Sequence, residues 1–357
     1  MRLALPLRRL LALPDAERRV GQFQLVRQLG RGGFAPVWLA REMYGSAELR
    51  LAAVKLFSIA PQIGAAADQR RVVDEVRALC QVEHPNIVRF YSIALDEASG
   101  VVGLAMEYLT GTPLDARLAS GSCAPAETLL VGVSIASALS AVHRAGLVHR
   151  DVKPANILDS GGTHKLIDFG IAGANEREAP EEPEPLVVDD LLLEPSPKAR
   201  RKLASETPRS SRQESAPGSV SGTPGYVDPA CASSGVPATA ASDLYALGVV
   251  LFECVTGRHP ASLTAPAGRG LDPDVLQGRR SAPAVASIAP EVHPALGALV
   301  DSLLAPAPAD RPRSAEWVTV ELERIRGDVD GMRRDLPPEA VGPFRGLGRF
   351  ERSDRDV

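Results

Sequence analysis

An eight-residue stretch, 149–156, concentrates side chains that could carry out chemistry. It reads His-Arg-Asp-Val-Lys-Pro-Ala-Asn and combines an acid, two cations and a carboxamide. A second acid, Asp168, follows twelve residues after Asn156 and begins the sequence Asp-Phe-Gly. Two acids and an asparagine on short turns can hold a divalent metal against a polyphosphate and orient a hydroxyl. Ordinary turn chemistry is the alternative, because Asp, Asn, Pro and Gly are common loop residues.

A glycine turn and a lysine near the N-terminus could complete a phosphate site. The pattern over 23–37 predicts strand, turn and strand, with Gly30 and Gly32 in the turn. Glycines let backbone N–H groups approach phosphate oxygens, although a simple hairpin would use them as well. Lys55 is the single charged residue of a predicted strand, 51–57. It could therefore offset phosphate charge or extend its amine to solvent.

The elements that must position these residues change character part-way along the chain. The first part predicts strands at 87–94 and 101–106, and a helix over 68–80 that carries Glu75. Apolar residues at helical spacing then predict a helix over 128–145. The change from strands to helices predicts two unequal lobes with a cleft at their junction.

Composition limits the classes of function. The chain has 357 residues, 45% hydrophobic content and a net charge of −4, which suits a globular core and gives no reason to expect a nucleic-acid partner. Four scattered cysteines without a C-x-x-C pair favour reduced thiols in a cytoplasmic protein over a disulfide frame or a zinc site. No uncharged apolar run of 18 residues occurs, so a membrane span is not expected.

In this order, the motifs resemble the eukaryotic-like (Hanks-type) serine/threonine protein kinases that are also found in bacteria. The resemblance implies an α+β, bilobal protein-kinase fold, with a small antiparallel β-sheet N-lobe that has one helix and a larger, mainly α-helical C-lobe. The implied parts are an N-terminal extension at 1–20, a kinase domain at 21–327 with its N-lobe at about 21–107 and its C-lobe at about 112–327, and a C-terminal tail at 328–357. The extension has the pattern of a short amphipathic helix.

The same resemblance assigns catalytic roles. Asp151 matches the catalytic base, Lys153 matches the γ-phosphate contact, and Thr223 matches the threonine that bonds both. Lys55 matches the lysine that contacts the α- and β-phosphates, and Glu75 matches the helix acid that pairs with it. Lys153 and Thr223 favour serine or threonine over tyrosine as the acceptor.

ATP and Mg²⁺ are the implied cofactors. Asn156 and Asp168 match the metal ligands. Met106 falls at the gatekeeper position, and the backbones of Glu107 and Leu109 would hydrogen-bond adenine. The full set of expected nucleotide-binding residues is Leu29, Gly30, Gly32, Val37, Ala53, Lys55, Met106, Glu107 and Leu109.

Two positions depart from the family pattern. Ala35 replaces the third glycine of the phosphate loop and is followed by Pro36, which should stiffen the loop tip. Ala230 stands where the family has a glutamate that pairs with an arginine, here Arg311. Leaving one partner of a buried pair alone costs roughly 3–5 kcal/mol unless it finds a substitute. Asp228, two residues away, is the candidate substitute, and an activation segment more mobile than usual is the alternative.

The third departure is an insert at about 174–220, which makes the activation segment unusually long. Its Pro, Ser and charged residues predict disorder. Residues 222–226 resemble the family's turn that positions the acceptor. Serines and threonines at 210–223, before or at this turn, predict autophosphorylation there. The expected partners are proteins with Ser or Thr acceptors, with no nucleic acid and with a dimer for trans-autophosphorylation. The alternatives are a pseudokinase scaffold, favoured by Ala35 and Ala230, and a small-molecule phosphotransferase.

Overall fold

A computed structural model describes residues 3–30, 35–58, 79–96, 100–169, 223–265 and 270–335. An antiparallel sheet fills the first part of the chain, and helices dominate the second. The predicted sheet lobe and helical lobe are therefore confirmed. The helix predicted over 68–80, with Glu75, lies largely outside the described residues, as do Gly32 and the 174–220 insert.

Six strands of the described residues form the sheet of the N-lobe in the order β1-β2-β3-β4-β6-β5, and every neighbouring pair is antiparallel. The strands are β1 (Arg19–Val20), β2 (Phe23–Gly30), β3 (Val37–Tyr44), β4 (Ala47–Ser58), β5 (Phe90–Asp96) and β6 (Val101–Glu107). Strand β5 begins three residues later than predicted, because Ile87 makes a parallel bridge to Leu166 of the other lobe.

The N-terminal extension covers one face of this sheet. It contains helix α1 (Leu5–Leu11), as its amphipathic pattern predicted, and the helix buries Leu7 and Leu10. Both leucines join a hydrophobic cluster with sheet residues such as Phe23 and Val54. Strand β1 already begins at Arg19, ahead of the predicted domain start. The domain boundaries themselves stay predictions.

The C-lobe has a short sheet and nine described helices. The strands are β7 (Thr112–Pro113), β8 (Ile157–Ser160) and β9 (Thr163–Leu166). The helices are α2 (Leu114–Leu118), α3 (Pro125–Arg144), α4 (Pro229–Ser234), α5 (Ala240–Thr256), α6 (Pro260–Leu263), α7 (Pro273–Leu276), α8 (Val285–Ile288), α9 (Pro294–Leu303) and α10 (Ala315–Asp335).

Helices α3 and α5 form the centre of this lobe. Helix α3 begins three residues earlier than predicted, with Pro125 in its first turn, where a missing N–H costs nothing. It is long and apolar enough to cross a membrane, but its most apolar window is 61% buried in the protein. In α5, a Cβ on Gly248 would lie 2.7 Å from the Leu303 Cβ, so a glycine is required for α5 to approach α9 this closely.

Strand β9 contacts the N-lobe in two places beside the connecting chain. The Val88 N–H donates to the Leu166 carbonyl at 3.0 Å, and the Leu166 N–H donates to the Asn86 carbonyl at 2.8 Å. Lys165 forms a 2.8 Å ion pair with Glu107, the last residue of β6. Strand β9 is therefore held to the N-lobe at two places, and it leads directly into Asp168.

Candidate active site

Asp151 lies at the centre of a compact polar cluster. The Lys153 ammonium donates to its carboxylate at 2.7 Å, and the Thr223 hydroxyl donates to it at 2.9 Å. The Asn156 amide donates to the same carboxylate at 2.9 Å and to the Asp151 carbonyl at 2.8 Å. Lys153 also donates to Thr223 at 2.6 Å. The structure thus brings together the three residues that the resemblance assigned to acceptor chemistry, Asp151, Lys153 and Thr223, with Asn156, a predicted metal ligand.

This cluster keeps Asp151 ionised. Burial by itself raises the pKa of the Asp151 carboxyl, because it disfavours the charged form. The hydrogen bond and charge of Lys153, together with the hydrogen bonds of Thr223 and Asn156, outweigh burial and lower the pKa below its ordinary value. At neutral pH the carboxylate is therefore an acceptor only, able to receive a hydroxyl hydrogen bond.

Lys55 and Asp168 face each other across the junction of the lobes. The buried Lys55 ammonium forms an ion pair with the Asp168 carboxylate and lies 3.5 Å from the Phe169 carbonyl. Asn156 connects this pair to the first cluster, because its amide nitrogen lies 3.5 Å from the Asp168 carbonyl oxygen. Six of the predicted polar residues therefore converge on one place, while Glu75, the predicted partner of Lys55, lies outside the described residues.

Asp243, at the start of α5, holds the backbone of this region in place. Its carboxylate accepts hydrogen bonds from the N–H groups of His149 and Arg150, both at 2.9 Å, and from His143 Nε2 at 2.8 Å. Arg150 has φ +70° and Asp168 has φ +62°, a region that residues other than glycine rarely adopt. Surrounding contacts must stabilise such a backbone, and Asp243 supplies two of them.

Three aromatic rings in contact extend this support into the N-lobe. The fully buried His149 ring lies 4.4 Å from the Phe169 ring, which meets the Phe90 ring edge-on at 5.4 Å. Burial lowers the pKa of His149, so the ring is neutral, and its Nδ1 accepts the Asp151 N–H at 3.3 Å. The loop of Asp151 is thereby fixed to residues of both lobes.

An apolar surface lies beside the polar residues. Ala53 and Met106 are partners in the pairing of β4 with β6, and both are buried. They belong to one hydrophobic cluster, and Leu29, Val37 and Leu109 pack against it. Strand pairing therefore places Ala53 beside Met106, and Val37 beside both Gly30 and Lys55. A Cβ on Gly30 would meet no atom of the described residues within 4 Å.

The donor set fits the ligands that the sequence implied. Asn156 uses its amide nitrogen for the contacts described above, which leaves its carbonyl oxygen to ligate. Asp168 is 30% exposed and offers a carboxylate. Oxygen ligands of this kind suit Mg²⁺, which commonly takes one or two carboxylates plus substrate phosphates. The described residues contain no group of three or more His, Cys, Asp and Glu that could hold a metal alone.

Comparison with known proteins identifies the family. A model of the protein kinase domain matches residues 23–189. The serine/threonine-protein kinase PrkC of Bacillus subtilis is 34% identical over 249 residues, which cover 68% of this chain and 32% of PrkC. The serine/threonine-protein kinase PkaB of Streptomyces coelicolor is 32% identical over 329 residues, which cover 88% of this chain and 66% of PkaB. The chain belongs to the Hanks-type serine/threonine protein kinases.

Solved structures agree on the fold of this kinase. The PknI kinase domain of Mycobacterium tuberculosis, crystallised as a cysteine-to-alanine mutant, superposes with a TM-score of 0.57 at 21% identity, covering 88% of this chain and 98% of that domain. The bilobal protein-kinase fold is confirmed. The kinase spans only about one third of the length of PrkC and two thirds of PkaB. The roles of the individual site residues stay predictions.

In this kinase, Asp228 takes over the ion pair that the family makes from position 230. Its carboxylate forms two 2.7 Å hydrogen bonds with Arg311, and the side chains are 2% and 0% exposed. Arg311 also donates to the carbonyls of Ala305 and Ala241, at 2.8 and 2.9 Å. Asp228 additionally caps α4 through the Ala230 N–H at 2.9 Å. The candidate substitute is therefore present, and Arg311 keeps a charged partner although position 230 is alanine.

The acceptor turn, 223–226, has supports that the sequence did not reveal. The Tyr226 hydroxyl donates to Glu253 at 2.9 Å, and His259 Nε2 contacts the Gly225 carbonyl at 3.0 Å. The His259 ring also meets Tyr226 edge-on at 5.6 Å. Burial raises the pKa of Glu253 to about 7 and lowers that of His259. Neither residue stands in a motif, and only the folded chain brings them to the turn.

Proposed function

We propose that this kinase transfers the γ-phosphoryl group of ATP to serine and threonine hydroxyls of proteins. The observation that carries the proposal is the Asp151 carboxylate, kept ionised by Lys153, Thr223 and Asn156 and placed near the Lys55–Asp168 pair. A general base, a phosphate-binding lysine and oxygen ligands for a cation are thus within one site. No contact in the described site favours a pseudokinase.

In the proposed mechanism, Asp151 accepts a hydrogen bond from the acceptor hydroxyl and takes its proton as the new bond to phosphorus forms. Lys55 and Lys153 stabilise the negative charge that spreads over the transferring group. Asn156 and Asp168 would hold Mg²⁺, which neutralises polyphosphate charge when bound. Positioning and electrostatics supply most of the rate, because no protein nucleophile is required.

The acceptor turn supports protein hydroxyls as the substrate. Thr223 contacts both Asp151 and Lys153, and Tyr226 fixes the following backbone through Glu253. A polypeptide lying along this turn would present a side-chain hydroxyl to Asp151. The proposal also includes autophosphorylation before Thr223, a dimer that performs this reaction in trans, and a cytoplasmic location.

Intact mass after incubation with Mg-ATP tests this function. The parent protein should gain phosphate on Ser or Thr, and Asp151→Asn should gain none, because an amide cannot take the proton. Thr128→Ser, in the buried interior of α3, is the control variant and should behave like the parent. If neither the parent nor added protein substrates gain phosphate, while the protein is folded and binds ATP, the proposal fails.

A further inference from the structure

Two of the four cysteines lie side by side in the C-lobe, 131 positions apart in the chain (254 − 123). The Cys123 N–H donates to the Cys254 carbonyl at 2.7 Å. The side chains also meet, because the Cys254 thiol hydrogen-bonds the Cys123 sulfur. A disulfide requires neighbouring residues of this kind, with Cα atoms about 4.4–6.8 Å apart. Both thiols are free, and both residues are buried, at 8% and 0% exposure.

The surrounding backbone fixes this pair. Cys254 belongs to the last turn of α5, where carbonyls need partners outside the helix. The helix ends at Gly257, with φ +69°, and a Cβ there would lie 3.0 Å from the Ser122 backbone nitrogen. Arg117 holds the loop before Cys123 by donating to the carbonyls of Gly121 and Ser122, at 3.5 and 3.4 Å. The close approach therefore belongs to two restrained segments.

Its greater exposure and a hydrogen bond from its partner make Cys123 the more reactive of the two thiols. The hydrogen bond from the Cys254 thiol lowers the pKa of Cys123 against the opposing effect of burial, and the Arg117 guanidinium makes a smaller contribution in the same direction. Cys254 has its pKa raised, first by Cys123 and then by burial. Glu127 opposes ionisation of Cys123 but is itself paired with Arg117 at 2.8 Å. Thiolate character governs attack on an oxidant.

We propose that Cys123 and Cys254 form a reversible intramolecular disulfide when the protein meets a hydroperoxide. The Cys123 sulfur attacks one peroxide oxygen, the O–O bond breaks, and the other oxygen leaves as an alcohol or water after taking a proton. The resulting sulfenic acid is attacked by the Cys254 sulfur, which releases its proton with the hydroxide as water. Two thiols are oxidised by two electrons, the peroxide is reduced, and a dithiol reverses the step.

The disulfide would act close to the acceptor turn. Cys254 directly follows Glu253, which holds the Tyr226 hydroxyl. Oxidation should therefore change the KM for an acceptor peptide more than the KM for ATP, a consequence that rests on the proposed function. Formation of the disulfide does not depend on kinase activity. The mass measurement therefore tests the disulfide, and the KM measurement tests its effect on the proposed function.

The test is to treat the reduced full chain with hydrogen peroxide and measure its intact mass without reductant. We expect the loss of two hydrogen atoms per chain, a peptide linking Cys123 to Cys254 after trypsin digestion, and recovery of both thiols with dithiothreitol. The double variant Cys80→Ser/Cys231→Ser should give the same result, because it keeps only the proposed pair. Cys123→Ser, at the more exposed position, should not form the link.

Three results would overturn the proposal. They are added oxygen on Cys123 without a linked peptide, a link between other cysteines or between two chains, and unchanged mass in peroxide that oxidises unfolded protein. Circular dichroism of each variant separates loss of the site from loss of the fold.

Discussion

At the scale of single residues, Thr223 connects the acceptor turn to the catalytic acid. Its hydroxyl donates to Asp151 and accepts from Lys153. We expect Thr223→Val to lower kcat roughly 10–100-fold, because hydrogen bonds to charged groups contribute about 1.5–3 kcal/mol. Thr223→Ser keeps the hydroxyl and should stay near the parent rate. Steady-state phosphorylation of a peptide checks both, and equal loss in both variants would contradict the role.

Asp228 carries an ion pair that the family usually makes from another position. We expect Asp228→Ala to lower the free energy of unfolding by about 3–5 kcal/mol, because it leaves the buried Arg311 charge alone. The added change Ala230→Glu should restore part of this loss by returning the carboxylate to the family position. Urea unfolding of the parent, the single variants and the double variant measures the coupling. Additive effects would exclude a shared partner.

Glu253 makes stability depend on pH. Burial raises its pKa in the folded protein to about 7, whereas an unfolded glutamate titrates near about 4.3. The folded state therefore favours the protonated carboxyl, so this contribution is complete below the unfolded pKa and is lost as pH rises towards 7. Between pH 5 and 8 the parent should lose about 2 kcal/mol more than Glu253→Gln. Urea unfolding at both pH values measures the difference, and parallel losses would contradict it.

At the scale of elements, helix α1 adds to the N-lobe a cover that its sequence only suggested. We expect Leu10→Ala to lower the free energy of unfolding by about 2–5 kcal/mol, since the side chain is 3% exposed. Leu5→Ala, on the same helix but 50% exposed, is the matched control and should change stability by less than about 0.5 kcal/mol. Equal effects of the two changes would mean that α1 does not pack on the sheet in solution.

Local pattern predicted most elements because their residues bury one face or one stripe. Helix α3 follows from such periodicity, whereas the strand around Lys55 was predicted from an apolar run and is buried continuously over 52–56. Contacts made at a distance were harder to predict. The residues next to Glu253 and His143 in the sequence do not predict that Glu253 contacts Tyr226 or that His143 contacts Asp243. Each contact depends on how two separate segments pack. The Asp228–Arg311 pair was predictable only because a missing glutamate demanded a substitute.

At the scale of the whole molecule, Phe169 joins the lobes through its ring. It lies between Phe90 of β5 and His149 of the Asp151 loop, at 5.4 and 4.4 Å, and is 4% exposed. We expect Phe169→Ala to lower the free energy of unfolding by about 3–5 kcal/mol and also to reduce phosphorylation, because Asp168 loses its support. Phe169→Leu keeps more of the volume and should lose less of both. Parent-like activity in the alanine variant would contradict this coupling.

The convergence of the site residues could be predicted only from the whole molecule. The sequence placed Lys55, Asp151 and Asp168 in three separate motifs, and only a family resemblance predicted that they meet. In the structure, Lys55 and Asp168 form an ion pair, so two of the three motifs are in direct contact. Glu75 and Gly32 fall outside the described residues, so their part in the site stays a prediction.

The two attachments of β9 to the N-lobe constrain how the cleft can open. One runs through Leu166 to residues 86 and 88, and the other runs through Lys165 to Glu107. Residues close to these contacts move least relative to each other when the two lobes change their angle. Domain closure in this kinase is therefore expected to keep β9 and the base of Asp168 nearly fixed relative to residues 86–88 and Glu107.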